Sequence, residues 1–169
     1  MRGGGCGILG GMAGEGAVRR ATGGDAAELT RLRIVMFEGM GQDVSGLDEG
    51  WRQRNIEHFR ARLRESGTFA AFVIDKPGGG LAACAVGWLN PHLIGLRHFT
   101  GRRGYIANTC TDAGYRRRGY GRATLGPLLE WMREAGVGTV DLHASPDGEP
   151  LYRSLGFTEP DQPALTLRL

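Results

Sequence analysis

Cysteine is scarce in this chain: Cys6, Cys84 and Cys110 are the only three among 169 residues. An odd, widely separated trio argues against the disulfide framework of a small secreted scaffold. No grouping has metal-ligand spacing, so no metal is expected. No apolar run approaches the ~18 residues of a membrane span, so no membrane partner is expected. The start is Arg2 followed by glycines, and its longest apolar pair, Ile8-Leu9, is too short for a signal-peptide core. A cytoplasmic location is the resulting expectation. The formal charge is only +3. The one dense arginine cluster is a single loop, and there is no interleaved aromatic platform of the kind single strands need, so no nucleic-acid partner is expected. There is no internal repeat.

What is present fits one globular domain: 41% of residues are hydrophobic and 23% charged. Residues 1–15 are glycine-dominated and read as a disordered tail, with Met12 as an alternative start; the domain is expected to be 16–169. Residues 18–21 read as a short strand. A helix opens at Asp25, where Asp25-x-x-Glu28 has capping-box spacing, and Gly39 and Gly41 end it. Residues 38–50 are polar and acidic, holding Glu38, Asp43, Asp48 and Glu49. A second helix is expected over 49–66, with Trp51, Ile56, Phe59 and Leu63 on one face. Strands over 68–75 and 81–89 flank the turn Lys76-Pro77-Gly78-Gly79-Gly80. Residues 90–103 read as a loop carrying His92 and His98. A strand over 104–111 leads to a helix over 120–135, whose Leu125, Leu128, Leu129 and Met132 are core residues and which contains Pro127. A strand at 140–143, a short helix at 149–155 and an extended run to Leu169 complete a mixed α/β pattern.

The run Arg116-Arg117-Arg118-Gly119-Tyr120-Gly121-Arg122-Ala123 joins the expected strand to the expected helix. The first amides of a helix lack internal partners, and its dipole adds positive charge there. Glycines let a ligand approach the backbone. Such a loop can cradle a pyrophosphate; a solvated basic turn is the plainer alternative.

With its flanks, the run Arg116-x-x-Gly119-x-Gly121 resembles the acetyl-coenzyme A loop of the GNAT-type N-acetyltransferases. Residues 105–112, Tyr-Ile-Ala-Asn-Thr-Cys-Thr-Asp, resemble that family's fourth strand. Leu151-Tyr152-Arg153-Ser154-Leu155-Gly156-Phe157 resembles its second signature. The resemblance covers residues 18–169. It implies an α/β (α+β) fold: a central twisted, mixed but mostly antiparallel sheet flanked by helices. It also implies that the fourth and fifth strands splay into a V-shaped slot. There the pantetheine arm pairs with the fourth strand as an added strand would. The implied co-substrate is acetyl-CoA, with no metal, and the implied partner is a small-molecule amine. Homodimers are common among such relatives. The cofactor-binding residues carried over are Cys110, Thr111, Arg116, Arg117, Arg118, Gly119, Tyr120, Gly121, Arg122, Ala123 and Ser145. Carried over, the pairing strand is Asn108 to Thr111, and the sequence does not say whether Asn108 lies at the family's bulge.

Acetyl transfer to an amine needs a base for the amine, a donor for the carbonyl oxygen and an acid for the departing thiolate. The resemblance makes Tyr152 the general acid and makes transfer direct, without an acyl-enzyme. Packing on Phe157 is the alternative role for Tyr152. A backbone amide of Thr109 or Cys110 could polarise the carbonyl. The base is open. The family's strand glutamate is missing, and Asp112 sits beyond the strand, where a turn or an arginine partnership is expected. The acidic segment 38–50 is expected to cover the acceptor site and to favour cationic amines. His143, on the expected fifth strand, could titrate near neutrality, though a satisfied strand residue is the plainer reading. Ser145 stands where many relatives have asparagine. Two other classes stay in view: a catalytically weak acyl-CoA-binding sensor or interaction module, and an RNA-binding protein using the basic run.

Overall fold

The computed structural model describes residues 16–96 and 99–169. The expectations for residues 1–15, including Cys6 and Met12, and for His98 lie outside the described residues. The chain runs β1 (Val18–Arg20), α1 (Ala26–Gly39), α2 (Glu49–Arg64), β2 (Phe69–Asp75), β3 (Leu81–Pro91), β4 (Arg102–Ile106), β5 (Cys110–Thr111), α3 (Tyr120–Glu134), β6 (Val140–Leu142) and α4 (Glu149–Arg153). The strands form one sheet in the order β1-β2-β3-β4-β6, and β5 also pairs with β3. All pairings are antiparallel except β4 with β6.

Strand alternation sorts the core into two sides. Ala71, Val73, Cys84 and Val86 face α1 and α2, where they meet Leu29, Leu32 and Phe59. Ala70, Ala85 and Leu89 face α3, where they meet Leu125, Leu128 and Met132. The result is helices on both sides of a sheet. α3 continues through Pro127 and ends before Gly136, whose φ of 76° supplies the left-handed turn.

Gly87 sets how closely α3 approaches the sheet. A Cβ there would stand 2.5 Å from the Met132 terminal methyl and 2.9 Å from the Tyr105 carbonyl oxygen. The methyl can move; the backbone oxygen cannot. Gly87→Ala is therefore expected to destabilise the fold by about 1–3 kcal/mol. A lower urea midpoint at unchanged m-value would register it; an unchanged midpoint would show that the layers separate freely.

Several local details differ from the sequence expectation. The capping box falls one turn earlier: the Asp25 carboxylate accepts the Thr22 N–H at 2.7 Å. Glu28 instead accepts the Leu81 N–H at 2.8 Å and pairs with Arg31, tying α1 to the β2–β3 hairpin. The expected strand over 104–111 is broken. Gly87 pairs with Ile106 and Cys84 with Cys110, so three residues, 107–109, stand opposite two. This is a bulge, and Asn108 lies in it, almost fully buried. Residues 158–169 join no ladder, and Leu165, Leu167 and Leu169 are exposed. Pro160 and Pro163 remove donors from this stretch.

Candidate active site

The bulge opens the site. β4 and β6 run parallel only from Gly104 opposite Val140 to Ile106 opposite Leu142. Past that point β5 holds to β3 alone, and the β6 side departs toward α4. A cleft of about 710 Å³ fills the gap. Thr109, Cys110 and Thr111 form one wall, Ser145, Gly148, Leu151 and Tyr152 the other. The basic loop closes one end, and α1 contributes Val35 and Met36.

At the loop, Arg117 has φ 65° and Gly119 φ 79°. Left-handed residues in a tight turn swing successive N–H groups to one side, making an anion nest. A non-glycine residue held there carries strain of about 1–2 kcal/mol. Among the described residues, the backbone N–H groups of 117–122 meet no backbone acceptor; the first to do so is Ala123, bonded to the Gly119 carbonyl at 3.0 Å. The nest leads directly into the α3 N-terminus, so amide direction and dipole reinforce each other.

Most of the expected cofactor residues meet at this cleft. Cys110, Thr111, Arg116, Arg117, Gly119, Tyr120, Gly121, Arg122 and Ser145 line it. Arg118 and Ala123 do not. The Arg118 guanidinium lies 5.0 Å from the Tyr115 ring centre and bonds to the Gly114 carbonyl. Ala123 packs against Ile74, Ala82 and Ala83. Helical periodicity turns Ala123 toward the sheet, and contacts within the preceding loop hold the Arg118 side chain away, although its N–H stays in the nest. The Ser145 hydroxyl accepts the Gly148 N–H at 3.2 Å, so it also shapes the turn before α4.

Tyr152 packs in the core and also borders the cleft. Its ring meets Phe157 edge-on at 5.8 Å, and its residue is buried while lining the cleft. Burial raises the phenol pKa, and the Thr109 hydroxyl offsets part of this. The phenol thus keeps its proton at neutral pH. Thr109 Oγ1 is itself buried with no well-formed hydrogen bond, although the phenol lies close enough to interact with it. Sequence reasoning considered only the Thr109 amide; the hydroxyl emerges from burial, which no local pattern signals.

The thiols are poor nucleophiles. Burial pushes Cys110 up to about 11 and Cys84 further still, so neither is a thiolate at neutral pH. Asp112 serves structure. It accepts the Ala113 N–H and pairs with Arg31 and Lys76. Burial works to raise its pKa, but the Lys76 hydrogen bond and the nearby Arg31 charge outweigh this and hold it low.

A second cleft of about 520 Å³ adjoins the first, between the end of α1 and residues 143–147. Its location corrects the expected acidic cover. Segment 38–50 contributes Gly39, Met40 and Gln42, and none of its four carboxylates lines the cleft. Asp43 accepts the Ser45 N–H, and Asp48 caps α2 by accepting the Trp51 N–H at 2.7 Å. Asp147, which sequence reasoning missed, is the carboxylate that lines both clefts. His143 lines both as well.

A sheet splayed around a bulge, with an anion nest at one end, defines an acyltransferase-like architecture, and comparison gives the family. The profile of the Acetyltransferase (GNAT) family matches residues 31–157, and the chain belongs to that family. It is 26% identical over 132 residues to the probable acetyltransferase TAP2 of Glycine max, covering 74% of this chain and 52% of that one. It spans about half the length of the curated relatives it matches. Among solved structures, a GCN5-related N-acetyltransferase from Ralstonia eutropha JMP134 superposes with a TM-score of 0.76 at 25% identity, covering 89% and 97% of the two chains. A predicted acetyltransferase from Clostridium acetobutylicum, solved with acetyl-CoA, gives 0.78 at 22% identity and shares the fold, covering 90% and 95%. No helix among the described residues is long and apolar enough to cross a membrane. No group of three or more His, Cys, Asp or Glu among them could hold a metal ion.

Proposed function

We propose that residues 16–169 form an N-acetyltransferase domain that moves an acetyl group from acetyl-CoA directly to a primary amine of a small, cationic acceptor. One observation carries the reading: consecutive backbone N–H groups, 117–122, that meet no backbone acceptor among the described residues lie at the end of a cleft whose wall holds a buried, protonated phenol. Acetyl-CoA, when bound, supplies the acetyl group activated as a thioester. The nest binds the pyrophosphate through backbone donors, and Arg116, Arg117 and Arg122 add charge at the same end. The β5 edge turned away from β3 offers backbone groups at Cys110 and Thr111 to the pantetheine. Tyr152 holds a proton for the thiolate sulfur. The adjoining cleft takes the acceptor, with Asp147 its charged residue among those lining it, which favours a cation.

Titration calorimetry with acetyl-CoA should show one site per chain, with pantetheine alone much weaker. Turnover with spermidine, phenethylamine, an aminoglycoside and a peptide with a free N-terminus should then reveal at least one acceptor. Absence of acetyl-CoA binding overturns the reading. Binding without turnover of any amine leaves the acyl-CoA-binding sensor in its place.

A further inference from the structure

No residue assigned so far receives the proton of the attacking amine. We propose that His143 is the general base of the transfer and that Tyr105 positions it, an inference resting on the acetyltransferase reading above. His143 directly follows β6 and lines both the slot and the adjoining cleft, so it stands where acetyl donor and acceptor would meet. The Tyr105 hydroxyl lies 2.7 Å from His143 Nδ1, with ring centres 6.0 Å apart. Tyr105 is in turn packed on Trp88 at 4.9 Å. With Nδ1–H donating to the phenol oxygen, the lone pair falls on Nε2, the nitrogen left for the cleft.

The sheet separates base from acid. Tyr105 pairs with Asp141 and with Trp88, and Trp88 packs against the core on the α1–α2 side. His143, two residues after Asp141, continues that side. Tyr152 belongs to the core on the α3 side. Base and acid therefore approach the slot from opposite faces, so one can serve the entering amine and the other the departing sulfur of the tetrahedral adduct. Nε2 takes the surplus proton from the amine nitrogen as the C–N bond forms. The C–S electron pair leaves on sulfur, which takes the Tyr152 proton. Solvent then carries the proton from the imidazolium back to the phenolate, giving an amide and free thiol.

Other groups face the same space. Asp141 is engaged by Arg103 at 2.7 Å. Tyr105 is held neutral by burial and by the Asp141 charge. Cys110, Arg116, Arg117, Arg122 and Tyr152 line the slot, and Asp147 lines both clefts. Asp147 is thus the competing base.

The test uses the full chain, acetyl-CoA and whichever of the four amines the wild type acetylates fastest. His143→Gln should lower kcat/KM for that amine by about 10²-fold or more at neutral pH. It should abolish the acid limb of the pH profile and leave the calorimetric Kd for acetyl-CoA unchanged, which also reports an intact fold. Tyr105→Phe should give a smaller loss and a displaced acid limb, and added imidazole should partly restore His143→Ala. A His143→Gln enzyme that keeps the wild-type acid limb overturns the proposal; loss of that limb in Asp147→Asn instead transfers the role to Asp147. A wild type that binds no acetyl-CoA or acetylates none of the amines fails one step earlier, at the acetyltransferase reading, and this inference falls with it.

Discussion

Tyr152→Phe is expected to lower kcat by about 10²–10⁴-fold while nearly preserving acetyl-CoA affinity. The substitution keeps the ring, and so keeps its edge-on contact with Phe157 and its place in the core beside α3. It removes only the O–H. Burial, partly offset by Thr109, raises the pKa of that group, so it remains a proton donor throughout the neutral range and into mild alkali. Below its folded pKa the donor is present; only above it should wild-type turnover fall for lack of acid. Single-turnover rates are the proper measure, because slow product release would mask the chemical step. Wild-type single-turnover rates in the variant would return Tyr152 to packing alone.

Gly121→Val should act on binding instead. Even a Cβ at position 121 would stand 3.0 Å from Leu151 Cδ2, across the slot mouth. The two γ-methyl groups of valine add bulk where the N–H groups of 117–122 must reach an anion. Hydrogen bonds to charged groups contribute about 1.5–3 kcal/mol each. Losing the equivalent of one should weaken acetyl-CoA binding by about 10–150-fold. Unchanged affinity by calorimetry would place the pyrophosphate elsewhere. The two variants separate cleanly: one should lose rate at kept affinity, the other affinity.

Features encoded within a few residues were legible from the sequence. The loop around Gly119 and Gly121 could be read as an anion cradle because unpaired amides at a helix start follow from local geometry. Core positions such as Leu125, Leu128 and Met132 followed from periodicity. The mostly antiparallel sheet and the slot came from resemblance to a family, since no local pattern states which strands pair. Local signals also misled. Glu28 had capping-box spacing, yet its carboxylate is taken by Leu81 across the fold and by Arg31 on its own helix. The carboxylates of 38–50 suggested a cover for an amine, yet Asp43 and Asp48 satisfy backbone donors of their own loop and helix.

By itself, then, the sequence determined the helix faces and the unpaired amides at the start of α3, because each depends on neighbours within one or two turns; Tyr152 as candidate acid came from the family resemblance. Tertiary structure alone decided the bulge at 107–109, which exists only as a mismatch between β3 and the β4–β5 strand. It also decided that the Thr109 hydroxyl lies buried beside the Tyr152 phenol, that Arg118 turns outward and that Tyr105 meets His143. Tyr105 and His143 are 38 residues apart and touch only because β4 and β6 lie parallel in one register. Such contacts are set by the closure of the whole sheet, and no segment carries them alone.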